Sequence, residues 1–183
     1  MIISAARRWG KSPFYLAMTF GTLFTHWSAR IAFVLYAATL ATWLIGKPRA
    51  ARLAWTSGFL VYLTHVAAAF HFRHHWSHDA AYEETARQTA ELLGVRSGGG
   101  LYCNYAFTAV WALDVIWIWW RAETYRRRRR WITAVIHCFM AFMFFNAMVV
   151  FVSGWVRWLG LTVTITLGIL WLRMRRARLG VSR

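Results

Sequence analysis

Acidic side chains are scarce in this chain: six Asp and Glu among 183 residues, against 22 Lys and Arg, a formal net charge of +16. Charge of either sign is thin. Only 15% of residues carry one, where an ordinary soluble domain has about 25%. Lysine is nearly missing; Lys11 and Lys47 stand alone and the other twenty basic residues are arginines. Cysteine occurs twice, at Cys103 and Cys138, and without a CxxC pair, which excludes a secreted disulfide scaffold and a thiol–disulfide exchange motif. No Walker A, GxGxxG or GxSxG pattern is present, so the sequence contains no signature of a nucleotide or serine-hydrolase site. There is no internal repeat, and Ser97-Gly98-Gly99-Gly100 is the only low-complexity stretch.

What is abundant is apolar. Hydrophobic residues make up 59% of the chain, with 13 Trp, 13 Phe and 7 Tyr. A soluble domain of this size must keep much of its surface polar and has no core large enough to hide those rings. The chain requires an apolar solvent, which also excludes intrinsic disorder and a collagen-like fibre.

A helix crosses the roughly 30 Å hydrocarbon layer with about 20 apolar residues, because lipid offers its backbone no hydrogen-bond partners. Four stretches meet that length: Ala29–Gly46, Leu53–Phe72, Tyr102–Trp120 and Trp131–Val152. A fifth, Trp155–Leu172, is slightly short. Trp119, Trp120, Trp131, Trp155, Trp158 and Trp171 stand at the expected ends, where an indole can be half wet. The expected fold is an all-α integral membrane protein, a single membrane domain over 1–183. It is a bundle of five or six transmembrane helices with one external amphipathic helix, and the bilayer is its first partner.

The arginines set the expected orientation. Lys47-Pro48-Arg49 with Arg52, then Arg121 with Arg126–Arg130, then Arg173, Arg175, Arg176 and Arg178 fall on alternate connections. Placing all three in the cytoplasm puts residues 73–101 outside and the C-terminus inside, in what is expected to be a bacterial cytoplasmic membrane. The basic surplus is thus a topology signal, with anionic-lipid contact as its companion. A nucleic-acid partner is not expected, because no soluble stretch is long enough to form a basic folded surface. At the amino terminus, Arg7, Arg8 and Lys11 precede the short apolar stretch Phe14–Thr25. If it crosses, His26–Arg30 is a tight outer turn and there are six spans; if it lies in the interface there are five. Cleavage as a signal peptide is disfavoured, because Trp27 stands where a small residue is wanted.

Between the apolar tracts, residues 79–91 hold Asp79, Glu83, Glu84 and Glu91, four of the six acids. His78–Leu93 reads as a surface helix with Ala81, Tyr82, Ala86, Leu92 and Leu93 as its apolar positions and Gly94 as its stop. Five of the seven histidines, His65, His71, His74, His75 and His78, lie within fourteen residues. If the preceding helix continues, positions 71, 74, 75 and 78 have i, i+3, i+4, i+7 spacing and share one stripe. Imidazole donors with carboxylates Asp79 or Glu83 nearby, and His26 as a further ligand, suit Zn, Cu or Fe. A merely solvated histidine-rich helix end, or a proton-handling role, explains the same residues. His71-x-x-His74-His75 resembles one histidine box of the membrane fatty-acid hydroxylases and desaturases over five residues. The further boxes that those di-iron enzymes require are absent, and the chain is not assigned to them.

Ionisable groups within spans are costly and call for partners. Asp114 and His137 each lie six residues from the basic end of adjacent antiparallel spans, so an intramembrane Asp114–His137 pair is expected, as a structural clasp or a proton relay. His65, Thr108 and Asn146 form a second candidate polar layer nearer the outside. A haem b held by His65 and His137 is disfavoured by their unequal depth; His26 with one of His71–His78 is geometrically easier. The leading functional expectation is a transition-metal or redox site at the outer interface. Its rivals are a non-catalytic anchor or accessory subunit beside other membrane subunits, respiratory or haem-containing ones among them, and a small proton-coupled carrier.

Overall fold

The computed structural model describes residues 13–151 and 154–180. Within them every regular element is helical: α1 (Pro13–Leu44), α2 (Pro48–Phe72), α3 (His78–Leu93), α4 (Gly100–Trp120), α5 (Ala122–Arg126), α6 (Arg130–Phe145) and α7 (Trp155–Gly180). A single π turn, Asn146–Val150, extends α6. Four helices are long and apolar enough to cross a membrane, over Phe20–Leu44, Pro48–Phe72, Gly100–Trp120 and Arg130–Val150. The apolar part of α7, Trp155–Ile169, is shorter.

The six-span alternative required a turn at His26–Arg30, and that turn is not formed. Residues 13–44 make one helix of 32 residues, about 48 Å long at 1.5 Å per residue. Nothing in 22–44 breaks a helix, since the stretch contains neither proline nor glycine. The polar groups that suggested a turn are satisfied inside the helix. Thr25 Oγ1 donates to the Gly21 carbonyl at 2.7 Å and Ser28 Oγ to that of Phe24 at 2.7 Å. Arg30 lays its guanidinium near the Trp27 and Trp155 rings, 5.0 and 5.3 Å from their centroids, so its charge is shared with aromatic faces. Arg7, Arg8 and Lys11 lie outside the described residues.

Between α1 and α2 the chain reverses through Gly46, whose φ of +75° is left-handed and favours glycine. Lys47 N donates to Thr42 O at 2.8 Å, and Pro48 opens α2 where its missing N–H costs nothing. At the far end of α2 the sequence HFRHHWSH turns the chain into α3. Ser77 Oγ accepts from Ala80 N at 3.2 Å, and Gly94 closes α3 at φ +72°. The expected boundaries of this helix, its acids and its glycine stop are all in place, with Ala81 and Ala86 buried.

Aromatic residues build the core. Phe33 and Tyr36 of α1, Trp55 and Tyr62 of α2, Phe107 and Trp111 of α4, and Met140 and Phe144 of α6 pack as one cluster. Van der Waals contact is what holds helices together in lipid, where the medium is as apolar as the side chains. Small residues permit the close approaches. A Cβ at Gly58 would stand 3.1 Å from the Trp111 ring, and one at Gly160 would stand 2.9 Å from the Met148 carbonyl oxygen. Gly154 serves instead as the turn before α7, at φ +74°. The outer surface is strongly apolar, with Trp120 82% and Trp158 70% exposed. Lipid contact accounts for that surface.

Candidate functional site

Two cavities open at opposite ends of the bundle. At the end where α2 passes into α3, the stripe of four imidazoles is not formed, because α2 stops at Phe72. His75 and Trp76 adopt left-handed conformations, φ 48° and 59°, which turn the chain sharply between helices. Trp76 N donates to Phe70 O at 3.0 Å and Ser77 N to His74 O at 2.8 Å, bonds incompatible with a continued α-helix. The histidines therefore lie across a corner. His71 stands edge-on to Phe72 and Trp76. His74 stands edge-on to Phe70. The His78 Nδ1 lies 3.0 Å from the Tyr105 hydroxyl, within a cluster of Tyr82, Tyr102 and Tyr105. Glu83 pairs with Arg96, and His26 is on an exposed face of α1. Asp79 makes no ion pair among the described residues, and no group of three His, Cys, Asp or Glu side chains there is arranged to hold a metal ion.

The smaller cavity, about 280 Å³, lies beneath α3 and is lined by His65, Arg73, His74, Glu84, Asn104 and Thr108, among others. His65 Nδ1 lies 2.8 Å from the Thr25 carbonyl oxygen, and the Thr108 and Tyr62 hydroxyls are 2.8 Å apart. Asn146 instead donates to Phe142 O in its own helix, at 2.8 Å, so only two members of the expected polar layer meet this cavity. Burial pushes the His74 imidazole below its usual value, reinforced by the Arg73 guanidinium and opposed by Glu84. A hydrogen bond from Arg87 holds Glu84 at about 2, with Gln88 adding a second.

At the other end, Asp114 is 2% exposed and does not bond to His137. Its carboxylate accepts from Arg128, which folds back from the basic loop, and from the Tyr125 hydroxyl at 3.1 Å. Arginine wins this contact because it is permanently charged and its fork suits a carboxylate, whereas His137 is enclosed by rings. Arg128 also stacks over Tyr125, 3.9 Å from its centroid. Burial and the neighbouring Asp114 charge push the Tyr125 phenol well above its ordinary value, so it remains a donor. His137 lies among Tyr36, Trp43 and Trp55, with centroids 6.2, 6.3 and 5.4 Å away. Between His65 and His137 the successive ring contacts of Tyr62, Trp111 and Trp55 fill the bundle interior, leaving the two histidines on different cavities.

The turn 47–49, the start of α2, the end of α4, α5 and the start of α6 together enclose the larger cavity, about 790 Å³. Its apolar wall includes Leu40, Trp43, Trp55 and Ile118; Arg49, Arg52, Arg126, Arg128 and Arg130 supply its charge, and His137 its deep polar group. Arg52 lies 3.7 Å over the Trp119 ring, and Trp119 Nε1 donates to Thr56 Oγ1 at 2.9 Å, which fixes that wall. Sequence reading treated Arg126–Arg130 as topogenic and missed this cavity. The available signals were Asp114, an acid twelve residues before a run of arginines, and two basic connections on the same side. No known protein family, curated protein or solved structure matches the chain.

Proposed function

We propose that this protein binds an anionic amphiphile, a lipid with a phosphate-bearing headgroup, in the arginine-lined cavity at the basic end of the bundle. The observation that carries the reading is the union, in one cavity of about 790 Å³, of five arginines with an aromatic and aliphatic wall. Asp114 neutralises Arg128 and Glu123 pairs with Arg126; Arg49 and Arg130 make no ion pair or side-chain hydrogen bond among the described residues. A phosphate supplies what such guanidinium groups lack, and an acyl chain is compatible with the wall behind them. Positive-inside bias places this cavity at the cytoplasmic leaflet, where anionic lipids are drawn to basic clusters.

Three other readings have weaker support. A proton carrier working through Asp114 needs that carboxylate free, and Arg128 and Tyr125 occupy it. A metal at the outer corner needs three donors around one ion, which requires the 73–77 turn to rearrange; elemental analysis of the purified chain tests it. An accessory role beside other subunits draws only on exposed aromatics that lipid satisfies equally.

The test is lipid binding by the full chain in detergent, read by native mass spectrometry. Phosphatidylglycerol or phosphatidic acid is expected to be retained over phosphatidylcholine, and Arg49→Gln with Arg130→Gln to lower that retention about tenfold. Inorganic phosphate displacing the lipid at millimolar concentration would reassign the site to a soluble phosphate. No preference for anionic lipid removes the proposal.

A further inference from the structure

We infer that His137 reads a carbonyl oxygen of the bound amphiphile, deeper than its phosphate, and so selects ester-linked glycerolipids over phosphates with no carbonyl behind the headgroup. This rests on the lipid reading of the basic cavity. Two observations carry it. His137 lines that cavity, and its Nδ1 is sealed from solvent with no hydrogen-bond partner, whereas Nε2 is not among the sealed atoms. A hydrogen on Nδ1 would have no acceptor, so the surroundings allow the tautomer with its hydrogen on Nε2. That edge of the ring meets no protein acceptor among the described residues, and the residue itself lines the cavity.

Thr39 and Thr133 bring hydroxyls to the same cavity, but neither is hydrogen-bonded to His137 among the described residues. Tyr36, Trp43 and Trp55 pack against the imidazole with their ring faces and edges, and the Tyr36 hydroxyl is committed to the His137 carbonyl oxygen at 3.1 Å. Asp114 is occupied by Arg128 and Tyr125. The donor is therefore uncommitted and available to whatever fills the cavity. Along α6, Arg130 and His137 are seven residues apart, about 10 Å of helix rise, so a headgroup held at Arg130 leaves His137 level with the groups just behind it. In a diacyl glycerolipid those groups are ester carbonyls, which accept from an N–H. In an ether lipid or a polyprenyl phosphate no carbonyl stands there.

The experiment compares diacyl phosphatidic acid with its dialkyl ether counterpart of equal chain length, on the full chain in detergent. The diacyl lipid is expected to bind about fivefold tighter, the worth of one hydrogen bond. His137→Phe, which keeps an aromatic ring in the stack, is expected to abolish the difference, and His137→Gln, which keeps a donor, to retain part of it. Arg130→Gln should weaken both lipids equally. Equal binding of ester and ether by the unmodified protein overturns the inference whatever the variants do, as does discrimination that persists in His137→Phe; a water bridging to His137 is one cause of the former. If neither phosphatidic acid outcompetes phosphatidylcholine, it is the cavity's lipid role that fails; if that preference stands without ester selectivity, only the role of His137 falls.

Discussion

Asp114, Arg128 and Tyr125 form the contact on which the basic end depends. Both charged side chains are nearly enclosed, 1% and 6% exposed, so each has lost its water and is compensated chiefly by the other. Removing one member leaves a buried charge alone, at a cost of about 3–5 kcal/mol. Arg128→Leu is accordingly expected to lower unfolding stability in detergent by about that amount, while replacing Asp114 and Arg128 together by leucine recovers most of it. A different residue-scale effect concerns the corner between α2 and α3. The folded state holds His74 below the ordinary imidazole value of 6.5, so the unfolded chain takes up the proton first. The stabilisation is complete above about pH 6.5 and declines as pH falls through that value. Glu84, held at about 2 against an ordinary 4.5, loses its contribution between those two values, in the same direction. Amide exchange over residues 73–93, corrected for intrinsic rate, should therefore accelerate in two acid steps. His74→Gln should remove only the upper one.

Among the elements, α1 decides how many times the chain crosses. The hydroxyls of Thr25 and Ser28 bond back to carbonyls four residues earlier, an arrangement that holds polar side chains within a helix without a turn. Ala29→Pro discriminates between the two arrangements. In a continuous helix it removes an N–H bond and clashes with the preceding turn, costing about 3 kcal/mol; in a turn at His26–Arg30 it would be nearly neutral. A large loss of thermal stability is expected. Helix α3 needed no such arbitration, since Ser77, the run of helix formers and Gly94 are local signals that act over a few residues. The break before it was less legible. His75 and Trp76 carry side chains that rarely adopt positive φ, and no propensity in HFRHHWSH announces a corner rather than one more helical turn. The i, i+3, i+4, i+7 pattern was sound arithmetic on a helix that ends too soon.

At the scale of the whole molecule, the two arginine-bearing connections between α1 and α2 and between α4 and α6 meet at one end and enclose one cavity, and α3 covers the other end. If the basic end is cytoplasmic, as positive-inside bias expects, a periplasm-active reporter inserted at Val95 is expected to be active and the same reporter inserted at Arg129 inactive. The opposite pattern would remove the assignment of the arginine cavity to the cytoplasmic leaflet. Composition and apolar run length determined that this chain is helical and built for lipid, because those depend on summed side-chain character over about twenty residues at a time. Alternation of arginine clusters determined which connections share a side. The partners of Asp114 and His137, the loss of the histidine stripe and the cavity itself were decided only by tertiary structure. Each depends on how a loop folds back and where a helix stops, and such choices are settled by contacts between residues far apart in the chain.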